Sequence, residues 1–307
     1  MPLTDAVGVP YQYQNVGSVN NRGLEFNLNT TNVRTKAFTW TTNFNISFNK
    51  NRIVYLNGDS LLMYNQYYYY YLHPGDDLNA IKGVQYAGVD PQTGKPEFWQ
   101  RELNAEGQVV GRTKVGTVSQ ALGNSSQNEM YNIGTTTPKF NGGFANTFSY
   151  KNVSLSILVE YVEGTRTYNV ERQQFQDGGI GSGYNQIAYL KSQHPWQAPG
   201  DTKANEPSVY WAQNSDYSNY ESSSGFDNNS FLRIRNIRVD YDIPLHQLSR
   251  YVRLARFYVS VDNVYTLTNK SFIGTDPEAP YVGGSQTGVG EQVGMPRRYL
   301  MGLLLSF

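Results

Sequence analysis

Apolar and polar residues alternate along several stretches of this chain. In NRGLEFNLN, Leu24, Phe26 and Leu28 share one parity, with Glu25, Asn27 and Asn29 on the other. In AFTWTTNFNISFNK, Phe38, Trp40, Phe44, Ile46 and Phe48 share one face, and Thr39, Thr41, Asn43, Asn45 and Ser47 the opposite one. A period of two is the signature of a strand with unlike faces; helical spacing would scatter these aromatics around an axis. KFNGGFANTFSY and VSLSILVEYVEG repeat the pattern around a turn at Lys151-Asn152, with Phe140, Phe144, Phe148 and Tyr150 aligned with Val153, Leu155, Ile157, Val159 and Tyr161. Asn146 falls on the apolar parity, and nothing in the sequence explains it.

FLRIRNIRVDYDIP changes phase midway. Leu232 and Ile234 have even parity, whereas Ile237, Val239 and Tyr241 have odd parity. One extra residue near Arg235-Asn236 reconciles them, which predicts a β-bulge there. LARFYVSVDNVYT places Phe257, Val259, Val261 and Tyr265 on one side. RRYLMGLLLSF alternates Tyr299, Met301, Leu303, Leu305 and Phe307 to its end. A weaker pair is expected at 78–88 and 95–103, joined by the turn-rich DPQTGK. The expectation is all-β, with about nine antiparallel strands: 20–33, 37–49, 78–88, 95–103, 139–150, 153–163, 231–243, 253–265 and 297–307.

The connections divide into two kinds. Those at 33–36 and 151–152 are short, while 50–77, 104–138, 164–230 and 266–296 are long and polar. Compact domains rarely carry several structureless loops of that length. Transmembrane β-barrels do, with short periplasmic turns and long extracellular loops. About nine such strands would leave the first and last running the same way, so the sheet should be open and completed by other strands.

Composition then sharpens the picture. The 307 residues are 14% aromatic and 16% charged, with 25 Tyr, against about 25% charged in an ordinary soluble domain. Mean hydropathy is nonetheless negative. A wall needing only one apolar face accounts for both. Lys+Arg and Asp+Glu are 25 each, so no general nucleic-acid affinity is expected. There are no Cys, which excludes disulfides and thiolate chemistry. MPLTDAVGVP lacks the charged and apolar regions of a signal peptide, so the sequence is expected to be a later piece of something longer.

Candidate chemistry is sparse. The three His (His73, His194, His246) are scattered, and no HExxH, GxSxG or P-loop pattern occurs. No catalytic residue, metal site or cofactor is assigned, and no enzyme activity is expected; His73 with Asp76-Asp77 reads as solvated loop polarity. Tyr64, Tyr67, Tyr68, Tyr69, Tyr70 and Tyr71 in the first long loop, and Trp196, Trp211, Tyr217 and Tyr220 in the longest, are candidate ligand contacts. Aromatic planes stack on sugars and peptide side chains; packing of loop against loop is the competing reading. Arg233, Arg235, Arg238, Asp240, Arg256 and Arg298 are expected on the polar, lumen-facing side, paired either with other parts of a larger protein or among themselves. Asp276-Pro277-Glu278 reads as a turn-former.

These segments, with NVGSVNNRGLEFNLN, FTWTTNFNISFNKNRIVYL, YAGVDPQTGKPEFW, FLRIRNIRVDYDIP, RFYVSVDNVYTLTNKSFIGTDPEAP and MPRRYLMGLLLSF in order, resemble the C-terminal half of TonB-dependent outer-membrane receptors of the SusC/RagA type. The resemblance implies a partial transmembrane β-barrel from an assembly of about 22 strands, residues 1–307 being a C-terminal fragment without the plug domain. It implies residence in the Gram-negative cell outer membrane, contact with its lipid, and import of oligosaccharides or peptides with a SusD-like lipoprotein. The TonB complex would act through a part outside this chain. Tyr299, Met301, Leu303, Leu305 and Phe307 resemble the signal read by the barrel-assembly machinery. The rival reading is a secreted or surface β-sandwich that binds glycans.

Overall fold

The computed structural model describes residues 15–58, 61–65, 68–106, 108–123, 130–169, 194–208, 222–245, 251–272, 274–278 and 294–307, without the side chains of 61–71. Seven strands form one sheet: β1 (Gly17–Arg34), β2 (Phe38–Leu56), β3 (Phe140–Tyr150), β4 (Val153–Glu163), β5 (Phe231–Asp242), β6 (Leu254–Thr268) and β7 (Arg298–Ser306). Each pairs antiparallel with its neighbour in chain order. Short turns close one end. The hydroxyl of Thr35 accepts the Phe38 N–H at 2.9 Å, and Lys151 takes a positive φ of 51° in the two-residue turn.

Register carries the alternation across the whole sheet. Phe38, Tyr150, Val153, Tyr241, Phe257 and Leu303 are successive partners from β2 to β7. The next row is Trp40, Phe148, Leu155, Val239, Val259 and Met301. The opposite face reads Thr41, Thr147, Ser156, Arg238 and Ser260. Among the described residues no second sheet covers the apolar rows: Leu24 is 68% exposed and Met301 79%. A sandwich would bury them, so that reading falls. From Phe38 to Phe48 the band runs about 34 Å along the strand at ~3.4 Å per residue, or ~24 Å tall at a ~45° tilt, the height of a barrel's lipid-facing belt. No described helix is long and apolar enough to cross a membrane, which does not bear on a barrel.

The bulge lies where the phase change placed it. Leu158 pairs with Asn236 and Val159 with Ile234, leaving Arg235 as the extra residue. On the other side of β5 the register also slips, near Asn263, whose φ is 53°. Asn146 has a reason too. Its Oδ1 accepts the Trp40 Nε1–H at 2.9 Å and the Thr42 hydroxyl at 2.7 Å, so it satisfies two donors on the outward face.

The 78–88 and 95–103 pair requires a correction. Gln85–Val89 and Pro96–Leu103 do pair around the DPQTGK turn, but with Val109–Val115 they form a separate sheet of three strands. Their alternation serves a local core of Val84, Phe98, Val118 and Ala121, not lipid. The wall therefore has seven strands rather than nine. A hairpin removes two strands at once, so β1 and β7 still run the same way. The long connections are also less irregular than expected: Leu61–Asn65, Tyr68–Leu72, Ala80–Gly83 and Tyr131–Thr135 form a sheet of four strands. Among the described residues the three clusters of buried apolar residues lie at this loop end, and the wall itself is a single layer.

Candidate functional site

The polar face of the wall concentrates charge on β5 and β6. Strand alternation aims Arg233, Arg238 and Asp240 inward, and the bulge adds Arg235 to the same side. All of the expected lumen charges find partners within the chain. Arg238 holds Asp240 at 2.7–3.0 Å and lies 4.0 Å over the Tyr258 ring. Arg256 holds Asp242 at 2.6 Å, and Arg298 reaches Asp262 at 3.2 Å. Within this chain these charges pair with one another.

The densest cluster is at the loop end of β5. Arg233, 1% exposed, hydrogen-bonds Asp276, and its Nε lies 2.9 Å from Glu278 Oε2. That last contact is an ion pair without hydrogen-bond alignment, since neither atom completes a hydrogen bond. Arg235 bridges Glu278 and Glu160, the latter at 2.6 Å. Burial would push the Asp276 carboxyl up. The Arg233 guanidinium and the N–H groups of Glu278 and Met295, each at 2.9 Å, outweigh it and hold the carboxyl below its ordinary range. Asp276 and Glu278 are therefore more than turn-formers: they root the long β6–β7 connection on the wall. The legible signal was matched spacing, Arg-x-Arg opposite Asp-Pro-Glu. Beside them is a recess of about 380 Å³ lined by Thr266, Thr268, Phe272 and Asp276, among others.

The aromatic candidates separate. Trp196 is tied inward: its Nε1–H donates to Pro91 O at 2.8 Å, and its ring lies over Gly94, whose φ of 70° closes the DPQTGK turn. Within that turn, the Thr93 hydroxyl and the Gln92 N–H hold the Asp90 carboxyl below its ordinary range. Tyr68 to Tyr71 belong to a strand paired with Leu61–Asn65, in which Tyr64 is opposite Tyr69. Tyr67, Trp211, Tyr217 and Tyr220 lie outside the described residues. His73 and Asp76 serve a turn: Asp76 accepts the His73 N–H and pairs with Lys82, each at 3.0 Å. Among the described residues no three potential metal ligands converge. On β7, Tyr299, Met301, Leu303 and Leu305 all face outward and are exposed, followed by Phe307. Together these features make a wall with one apolar face, one charged and internally paired face, and a rim of folded loops.

Comparison with known proteins follows this geometry. The chain is 28% identical over its full length to TonB-dependent receptor P3 of Formosa agariphila, and 29% identical over 98% of its length to receptor P26 of that organism. In both cases it spans about 30% of the relative. A 68-residue stretch is 40% identical to TonB-dependent receptor SusC of Bacteroides thetaiotaomicron, over 22% of this chain and 6% of SusC. Among solved structures, the RagAB peptide transporter matches with a TM-score of 0.78 at 25% identity, covering 100% of this chain and 31% of that one. No family model matches. The resemblance to TonB-dependent receptors of the SusC/RagA type thus extends along the whole chain, through a wall suited to the outer membrane.

Proposed function

We propose that this chain is the C-terminal part of the barrel domain of a TonB-dependent outer-membrane importer, acting with a SusD-like lipoprotein lid. The observation that carries the reading is the sheet itself. Its strands present one uncovered apolar face, one charged and internally paired face, and folded loops at a single end. In the complete receptor the inner face lines the path, the loop end meets ligand and lipoprotein, and a plug outside this chain couples to the TonB complex. The cargo is an oligosaccharide or a peptide; the solved peptide transporter supports the second. Tyr64 and Tyr67 to Tyr71 are the proposed ligand or lid contacts, together with Trp211, Tyr217 and Tyr220 of the longest connection, while Trp196 is given a packing role by its bond to Pro91. Tyr299, Met301, Leu303, Leu305 and Phe307 form the proposed signal to the barrel-assembly machinery.

The test uses the full-length receptor in its own outer membrane. Deleting Phe307 should lower the amount of folded, heat-modifiable barrel. Replacing Tyr67 to Tyr71 with Ser should leave that amount intact and weaken uptake or lipoprotein capture. A receptor that neither partitions into detergent nor changes gel mobility on boiling would sink the barrel reading. Unchanged uptake and lipoprotein capture in the Ser variant would return the tyrosines to a packing role.

A further inference from the structure

The outward face changes character above the Leu24–Phe48 pair. The next partners up the β1–β2 hairpin are Arg22 and Lys50, then Asn20 and Arg52. All have the parity of the apolar band, so the cations point the way the lipid-facing aromatics do. They stand two to four residues beyond that row, or about 5–10 Å above it at a ~45° tilt and ~3.4 Å per residue. They line a cleft of about 320 Å³ together with Asn20 and Val54.

This arrangement needs an anion. Arg22 and Lys50 are directly opposed, and like charges in that position destabilise a sheet. Neither they nor Arg52 makes an ion pair within the described residues, although each Arg of the charged inner wall holds a carboxylate. Arg52 spends its Nε–H on Gly75 O at 3.1 Å, which fixes its stem, and its other guanidinium donors take no partner among the described residues. Unpaired, exposed cations set one step beyond a hydrocarbon belt are placed at headgroup depth, with flexible stems that reach along the surface.

We infer that Arg22, Lys50 and Arg52 form a binding site for phosphate groups of anionic lipid headgroups in the leaflet on the long-loop side. The site rests on the membrane-barrel reading above. Its role is to fix the depth of the β1–β2 hairpin and to hold a shell of lipid against the wall under the loops.

The experiment is run on the full-length receptor in nanodiscs of phosphatidylcholine alone or mixed with phosphatidylglycerol. Native mass spectrometry reads how much of each lipid is retained. Wild type should enrich the anionic lipid, and the variant Arg22→Gln/Lys50→Gln/Arg52→Gln should lose that enrichment. Each cation contributes roughly five-fold, so the triple change weakens retention on the order of 100-fold. Arg22→Lys with Arg52→Lys keeps the charge and should keep most of the binding. Equal enrichment by the triple variant overturns the site. Inorganic phosphate in detergent is the second arm: if it alone competes the lipid away at matched phosphate concentration, the cleft takes free phosphate and the lipid assignment fails. Should the triple variant not assemble, Lys50→Gln alone is read, with no change again overturning the site. Failure of wild type to enter nanodiscs at all is a different result and removes the membrane reading first.

Discussion

Arg233→Met is the sharpest perturbation of the inner wall. The guanidinium is 1% exposed, and the carboxylates it compensates, Asp276 and Glu278, are 8% and 16% exposed. Removing one partner of a buried pair costs about 3–5 kcal/mol, because the remaining charge stays desolvated. Glu278 keeps Arg235, so the lower end applies, about 3 kcal/mol, or on the order of a 100-fold shift in docking of the 274–278 and 294–297 segments. The Glu278 and Met295 amides report this directly, since both donate to Asp276. Hydrogen exchange on the full-length receptor should show their protection falling about 100-fold while Ile237 and Val239 in β5 stay unchanged. Adding Asp276→Asn should restore much of it, since the stranded charge is then gone. pH gives an independent check. The Asp276 carboxyl is depressed, so its contribution is complete above the ordinary Asp value of about 3.9 and disappears as pH falls through its lower folded value. Protection should be flat around neutrality and drop only in acid. If Arg233→Met leaves both amides protected, or does no more than Arg238→Met in the Arg238–Asp240 pair, whose guanidinium is 37% exposed, the rooting argument is refuted.

Two further outcomes test the wall. Deleting Arg235 removes the bulge but leaves residues 231–234 on their face, because Ile234 then adjoins Asn236 in plain alternation beside Val159 and Leu158. Inserting one residue after Arg235, with the bulge kept, instead turns 231–234 over and points Arg233 to lipid; folded barrel on unboiled gels should fall steeply for the insertion, whereas Arg235→Gly, which keeps the count, should assemble. Asn146→Leu removes the acceptor of Trp40 Nε1 and Thr42 and should cost about 1–2 kcal/mol in denaturant unfolding in micelles; a neutral result would mean those donors are met by water or lipid.

What was legible follows from what each feature depends on. Strand faces depend on parity alone, so β2 to β7 could be read with their neighbours unknown, and the bulge at Arg235 appeared as a phase error. The local sheet around Phe98 was misassigned because parity records that one face is apolar, not whether lipid or a helix such as Val118–Leu122 covers it. The tyrosine strand was missed because five like residues carry no alternation. The Arg233–Asp276 pair is 43 residues apart, and only the fold brings those ends together. Asn146 needed a neighbour from β2, 106 residues away, before its polarity made sense.

The strand count has a consequence that survives the correction from nine to seven. An odd antiparallel run leaves β1 and β7 parallel to each other, so they cannot close as an antiparallel seam. Copies of the chain related by rotation about the membrane normal would meet the same obstacle, since β7 of one would lie parallel to β1 of the next. Yet in hydrocarbon each edge would strand a row of N–H and C=O groups at several kcal/mol apiece. An even antiparallel barrel therefore needs an odd number of further strands between the two edges. A barrel of about 22 strands supplies 22 − 7 = 15, and the earlier count of nine would have required 13. Both are odd, because the hairpin that left the wall took two strands with it. The parity argument for a larger barrel thus depends on the directions of β1 and β7, not on how many strands lie between them.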